Sequence, residues 1–170
     1  MDFLSDHSAE VIALCALIFT AWQAITQRKH NKISVKPLLL THTDRDKYNQ
    51  AARLQITLTN SGLGPAFVNE FSVLVNGKTC DFEKAVEETL GPQAKNSTHT
   101  VLREGYAMPH NENVVLLAVK FRADNWEEVD AFEAKLDVFD LIIKYSSAYG
   151  EKFTLDTREK QLTNSGKGRS

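Results

Sequence analysis

Cysteine is scarce. The 170 residues hold two, Cys15 and Cys80, far apart and in dissimilar surroundings. That excludes a disulfide framework and any zinc site built on cysteine pairs. Four prolines and eight glycines are too few for a collagen-like or low-complexity chain. No sign of charge dominates: 20 Lys and Arg stand against 22 Asp and Glu, a net charge of −2. A general basic field for a nucleic-acid polymer is therefore missing. What remains is an ordinary globular composition, 42% hydrophobic and 25% charged, with room for one domain of ordinary size.

The charge average hides an asymmetry. Residues 1–10 carry Asp2, Asp6 and Glu10 and no base, whereas residues 28–32 carry Arg28, Lys29 and Lys32 and no acid. From Val11 to Gln27 no residue is charged. As a helix that stretch covers about 26 Å, slightly under the hydrocarbon core of a bilayer. Its apolar residues surround the helix instead of forming the single stripe of a soluble surface helix. Trp22 lies near the basic end, where an indole favours the interface. A transmembrane helix over 11–27 is expected, with a lipid bilayer as its partner. The alternative is a short buried core helix. A cleaved secretory signal fits poorly, because its leading region should be basic and here it is acidic. The basic juxtamembrane segment 28–32 should be retained in the cytoplasm, leaving the acidic flank 1–10 outside and the rest of the chain inside. Lone Cys80 suits that reducing compartment. The expected location is the cell inner membrane, crossed once.

From Ile33 to about residue 157 the pattern alternates. Ile33–Thr41 reads as a first strand, with Pro37 favouring an edge position. Leu54, Ile56 and Leu58 alternate with Gln55, Thr57 and Thr59. Phe71, Val73 and Val75 lead into Asn76-Gly77, a tight hairpin signal, and then Lys78–Phe82. Val115–Phe121, Phe139–Tyr145 and the pair Phe153 and Leu155 supply three more strands. About seven strands predict a mainly-β, Ig-like β-sandwich, with a small barrel as the other closure. One short amphipathic helix is expected over Asn125–Leu136, where Trp126, Val129, Phe132 and Leu136 recur at helical spacing. Glu83–Leu90 reads equally as helix or loop. Residues 91–113 form a long polar loop, and 158–170 a disordered tail carrying four bases and one acid. Residues 33–157 are acidic, with 13 Lys and Arg against 18 Asp and Glu.

The most distinctive stretch joins two of these strands: Asn60, Gly62, Gly64, Pro65 and Ala66. Asn and Gly tolerate positive φ, and Pro can open a strand without its missing donor. With the late Tyr145–Gly150 hairpin and Lys36-Pro37, this resembles uncharacterised bacterial single-pass membrane proteins. Their Ig-like, CARDB-like β-sandwich carries an N-x-G-x-G-P-A turn. The resemblance implies an architecture and a structural role for the turn. It implies no catalytic residues.

Motifs that carry chemistry are few. No serine occupies a G-x-S-x-G elbow, and Gly62-Leu63-Gly64 joins strands where a phosphate loop would open a helix. His42, Asp44 and Asp46 read as a polar loop after a strand better than as a divalent site. His99 and His110 read as solvated residues of the long loop. Glu127, Glu128, Asp130 and Glu133 read as the solvated face of the short helix. No metal, cofactor or enzyme activity is expected. The favoured reading is a non-catalytic binding or scaffold module, tethered at the cytoplasmic face, with a protein partner and scope for homo-oligomers. The rival is a ligand-gated membrane effector. In outline the chain is similar to anti-phage proteins whose β-domain senses a cyclic nucleotide. A closed barrel with convergent cations would favour the rival, but Arg45, Arg53, Arg103 and Arg122 show no clustering along the chain.

Overall fold

A computed structural model describes residues 8–158. Asp2, Asp6 and the tail from residue 159 lie outside the described residues. A single helix, α1, runs over Ser8–Ser34. Its 27 residues reach about 40 Å, close to the full thickness of a bilayer with its headgroups. Ala9–Ser34 is long and apolar enough to cross a membrane, and none of its apolar window is buried. A core helix would be buried, so that alternative falls. The expected first strand at Ile33 is corrected: Arg28–Ser34 continues the helix, since nothing before Pro37 interrupts it. Pro37 disfavours helical backbone at Lys36, so the chain turns there.

Nine strands in two antiparallel sheets follow, where seven were expected. They are β1 (Leu39–Tyr48), β2 (Ala51–Asn60), β3 (Ala66–Val75), β4 (Lys78–Cys80), β5 (Ser97–His99), β6 (Ala107–Met108), β7 (Asn113–Arg122), β8 (Phe139–Ser146) and β9 (Lys152–Asp156). One sheet has the order β1-β2-β7-β5; the other has β4-β3-β8-β9, with β6 also paired to β3. The two additional strands, β5 and β6, lie inside the segment read as a loop. Together the sheets make a sandwich-like, mainly-β body. The Asn76-Gly77 hairpin forms as expected, with φ of 51° and 77° at its two turn residues. That is the left-handed pair a two-residue type I′ turn needs.

The alternating residues meet in one core. Leu54, Leu58, Val68, Leu117, Val119, Leu141 and Ile143 are all buried. Two short helices add to it, where one was expected. Helix α2 (Phe82–Leu90) buries Phe82, Ala85, Val86 and Leu90. Helix α3 (Trp126–Glu133) buries Val129 and Phe132 and continues as a 3-10 turn over Ala134–Val138. Its start is a reciprocal cap: Glu128 N donates to Asn125 Oδ1, and Asp124 N donates to Glu128 Oε2. Trp126 departs from the expected apolar face and stays exposed at the first helical position.

Asp140 is the one buried carboxylate among the described residues. Burial raises its pKa above the ordinary carboxylate value, and a hydrogen bond from Thr157 Oγ1 opposes the rise. The folded chain therefore holds this proton to higher pH than the unfolded chain. Stability associated with that proton is present in acid and is lost as pH rises through the raised pKa. Asp140→Asn keeps an acceptor for Thr157 and removes the charge. The variant should melt above the parent at pH 7, with the difference shrinking towards pH 4 (thermal melts of the full chain in detergent).

Candidate functional site

The residues singled out in the sequence fall into two groups that the structure joins. Val11, Trp22, Gln27, Arg28, Lys29 and Lys32 all lie exposed on α1. Asn60 ends β2, Ala66 begins β3, and Gly62, Gly64 and Pro65 lie between them. Four residues, Val35–Leu38, separate the helix from β1. That short linker lies against the Asn60–Ala66 turn.

Asn60 is fully buried, and every polar atom of its amide is used. Its Oδ1 accepts from Leu38 N at 3.2 Å and from Gly62 N at 3.1 Å. Its Nδ2 donates to Gly64 O at 2.9 Å, Met108 O at 2.9 Å and Pro109 O at 3.1 Å. The backbone continues the tie. Ser61 N donates to Leu38 O at 2.8 Å, and Asn111 N donates to Asn60 O at 2.9 Å. His110 Nδ1 lies 2.6 Å from Gly62 O. One side chain thus links the linker, the turn and the strand at Met108.

The glycines have a different cause from the one expected. Neither Gly62 nor Gly64 has positive φ. Instead the linker backbone occupies the space where a side chain would begin. A Cβ on Gly62 would stand 2.5 Å from Lys36 O and from the Pro37 carbonyl carbon, and closer still to Leu38 N. One on Gly64 would stand 2.5 Å from the Val35 carbonyl carbon and closer to its oxygen. These glycines admit the chain's own linker. Two further contacts hold it: Leu39 N donates to Tyr145 Oη at 3.4 Å, and the Lys36 ammonium lies 5.1 Å from the Phe153 ring centre. Burial raises the Tyr145 pKa, and the Leu39 hydrogen bond opposes the rise.

The other candidates disperse. His42, Asp44 and Asp46 lie within β1 itself, not in a loop after it. His42 Nε2 lies 3.3 Å from Asp44 Oδ2, on a solvent-exposed face. His99 stacks on Phe82 at 5.0 Å, while His110 belongs to the linker tie, so the two serve different places. Asp130 and Glu133 do not simply face solvent: both hold Arg45, at 2.8 and 3.0 Å, across the β1 edge. Tyr106 Oη donates to Glu112 Oε1 at 3.0 Å; burial, then that carboxylate, raises the phenol's pKa. Among the described residues no group of three or more His, Cys, Asp or Glu is placed to hold a metal ion. Cys80 is a free, half-buried thiol.

A second feature was invisible along the chain. Arg53, Lys95 and Lys120 line one open groove of about 450 Å³, with Asn96, Ser97, Thr98 and Ala118. Arg53 and Lys120 stand directly opposite each other on β2 and β7. Only the strand register could have announced that pairing.

No protein-family model matches this chain, and no curated protein sequence matches it. The resemblance drawn from the turn rests on its residues alone.

The joint can be broken in two ways. Asn60→Asp replaces a donor by an acceptor facing three carbonyl oxygens, so it should destabilise more than Asn60→Ala. The alanine variant should itself cost about 2–4 kcal/mol through orphaned buried groups. Gly64→Val forces backbone apart and should cost about 3 kcal/mol or more. Chemical denaturation of the full chain in detergent checks the order. A Gly64→Val chain as stable as the parent would refute the close approach.

Proposed function

We propose that this chain is a membrane-anchored, non-catalytic binding or scaffold module. Helix α1 spans the inner membrane once, and an Ig-like sandwich is held at the cytoplasmic face. The observation that carries the reading is the locked joint. A helix with apolar residues all round leads, through four residues, into a linker fixed by Asn60, Gly62 and Gly64. A flexible leash would need none of these contacts. A leader peptide destined for removal would have no reason to end in a linker built into the domain.

The Ig-like assignment is supported by strand order. The sequence β1-β2-β7-β5 corresponds to strands A-B-E-D of an immunoglobulin domain, and β3-β8-β9 to C-F-G. Strand β4 then takes the place beside C. In such a sandwich the turns at residues 61–65 and 147–151 share the end where the linker enters. Leu63 and Tyr149 are exposed there. An exposed leucine beside the end of a membrane helix suits contact with the bilayer surface.

Orientation follows from Arg28, Lys29 and Lys32 at one end of the span and Glu10 at the other. The partner meets the surfaces turned away from the membrane. Edge strand β1 offers outward backbone groups beyond Leu39 for strand addition, with Asp44, Arg45, Asp46 and Lys47 limiting indiscriminate pairing.

The chain should sediment with membranes through an alkaline wash and enter solution only with detergent. A membrane-impermeant maleimide applied to intact spheroplasts should leave Cys80 unlabelled, yet label it after lysis and mild unfolding. Full-length chain in the soluble fraction would overturn the anchor. Labelling of Cys80 from outside would reverse the topology.

A further inference from the structure

We infer that the groove between β2, β7 and the turn preceding β5 binds a soluble ligand bearing adjacent phosphate groups, a polyphosphate or a nucleoside polyphosphate. Three cations converge there: Arg53 from β2, Lys120 from β7 and Lys95 from the 3-10 turn Gly91–Asn96. Among the described residues no carboxylate lines the groove. This is unexpected in a body where acids outnumber bases by 18 to 13 over residues 33–157. None of the three cations forms an ion pair among the described residues. Arg45, Lys84, Arg122, Lys144 and Arg158 all do. Asp46 stands opposite Arg53 on β1 but is not in ion-pair contact with it. Among the described residues the Arg53 guanidinium donates only to the Gln55 side-chain amide oxygen.

The placing of Arg53 directly across from Lys120 is costly by itself, because like charges facing each other on neighbouring strands repel. An anion seated between them turns that repulsion into attraction. Arginine supplies a planar fork suited to a phosphate, and the two lysines supply point charges for the next. Asn96 and Thr98 add polar side chains along the wall, while Ser97 Oγ is already committed to Ala94 O at 2.7 Å. The volume, about 450 Å³, is that of a small-molecule site and too large for one phosphate. Among the described residues no aromatic side chain lines the groove, so recognition rests on the phosphates and not on stacking of a base.

The same phosphates occur on lipid headgroups, but position argues for a soluble source. Arg53 lies seven residues along β2 from Asn60, at the linker. That is about 23 Å of strand. The site therefore sits towards the end of the sandwich opposite the joint.

The test is calorimetric titration of the full chain, in phosphatidylcholine nanodiscs at low salt, with inorganic tripolyphosphate. Saturable binding is expected, weakening as salt is raised. Arg53→Gln/Lys120→Gln should weaken it roughly tenfold or more, an easily resolved change. Lys78→Gln/Lys152→Gln, which removes two cations elsewhere, should leave it unchanged. Because the paired charges repel, the Arg53→Gln/Lys120→Gln chain should melt no lower than the parent, separating lost binding from unfolding. Absence of binding, or equal weakening by both double variants, would overturn the site. Recognition of nanodiscs carrying phosphoinositide without any response to tripolyphosphate would overturn the soluble source.

Discussion

The amide of Asn60 is the contact on which the arrangement depends. A buried amide has two acceptor lone pairs and two N–H groups, and each left unmatched costs free energy in a dry interior. Here Oδ1 takes two backbone N–H groups and Nδ2 faces three carbonyls. One of those N–H groups, that of Leu38, belongs to the linker. The side chain therefore closes a turn and sets where the helix meets the sandwich. The two glycines make this possible by leaving room for linker backbone where a side chain would stand. Tyr145 and Phe153, from the second sheet, secure the linker from another side. The linker is consequently built into the sandwich up to the residue that follows α1.

Such a joint favours a module that presents a surface at a defined height and orientation. In the proposed arrangement the loops at the joint end face the bilayer, and Leu63 is exposed there. The far end carries the β1–β2 hairpin and the groove of Arg53, Lys95 and Lys120. In the proposed topology that end is turned towards the cytoplasm. The proposed anchoring and the proposed cationic site are thus compatible, because they use opposite ends of the body.

Much of this was legible in the sequence because the signals were local. The uncharged run from Val11 to Gln27 marked the helix, and alternation at Leu54–Leu58 and Val115–Phe121 marked strands of the core. Asn76-Gly77 marked its hairpin because that dipeptide accepts left-handed backbone at both positions. The unread features depend on residues distant in sequence. Gly62 and Gly64 looked like glycines of positive φ, whereas their constraint comes from Val35–Leu38, more than twenty positions earlier. Lys120 meets Arg53 only through the β2–β7 register, which includes a bulge between Ile56 and Thr57 that composition does not announce. Short strands β5 and β6 escaped because two or three residues cannot display periodicity. The uncharged run stops at Gln27, but charge does not end a helix: α1 continues through Arg28–Ser34 and stops before Pro37.

The most direct test of the fixed joint is a measurement of depth. A nitroxide is attached at Leu63 or at Tyr48, in a chain with Cys15→Ala and Cys80→Ser, reconstituted in nanodiscs. Its relaxation by a gadolinium chelate carried on lipid headgroups is then recorded. Tyr48 lies at the far end of β1, nine residues from Leu39, or about 30 Å of strand. A rigid corner predicts strong relaxation at Leu63 and little at Tyr48, with the contrast abolished by Asn60→Ala. Equal relaxation at both positions in the parent chain would show that the sandwich tumbles freely on its linker, and would contradict the joint.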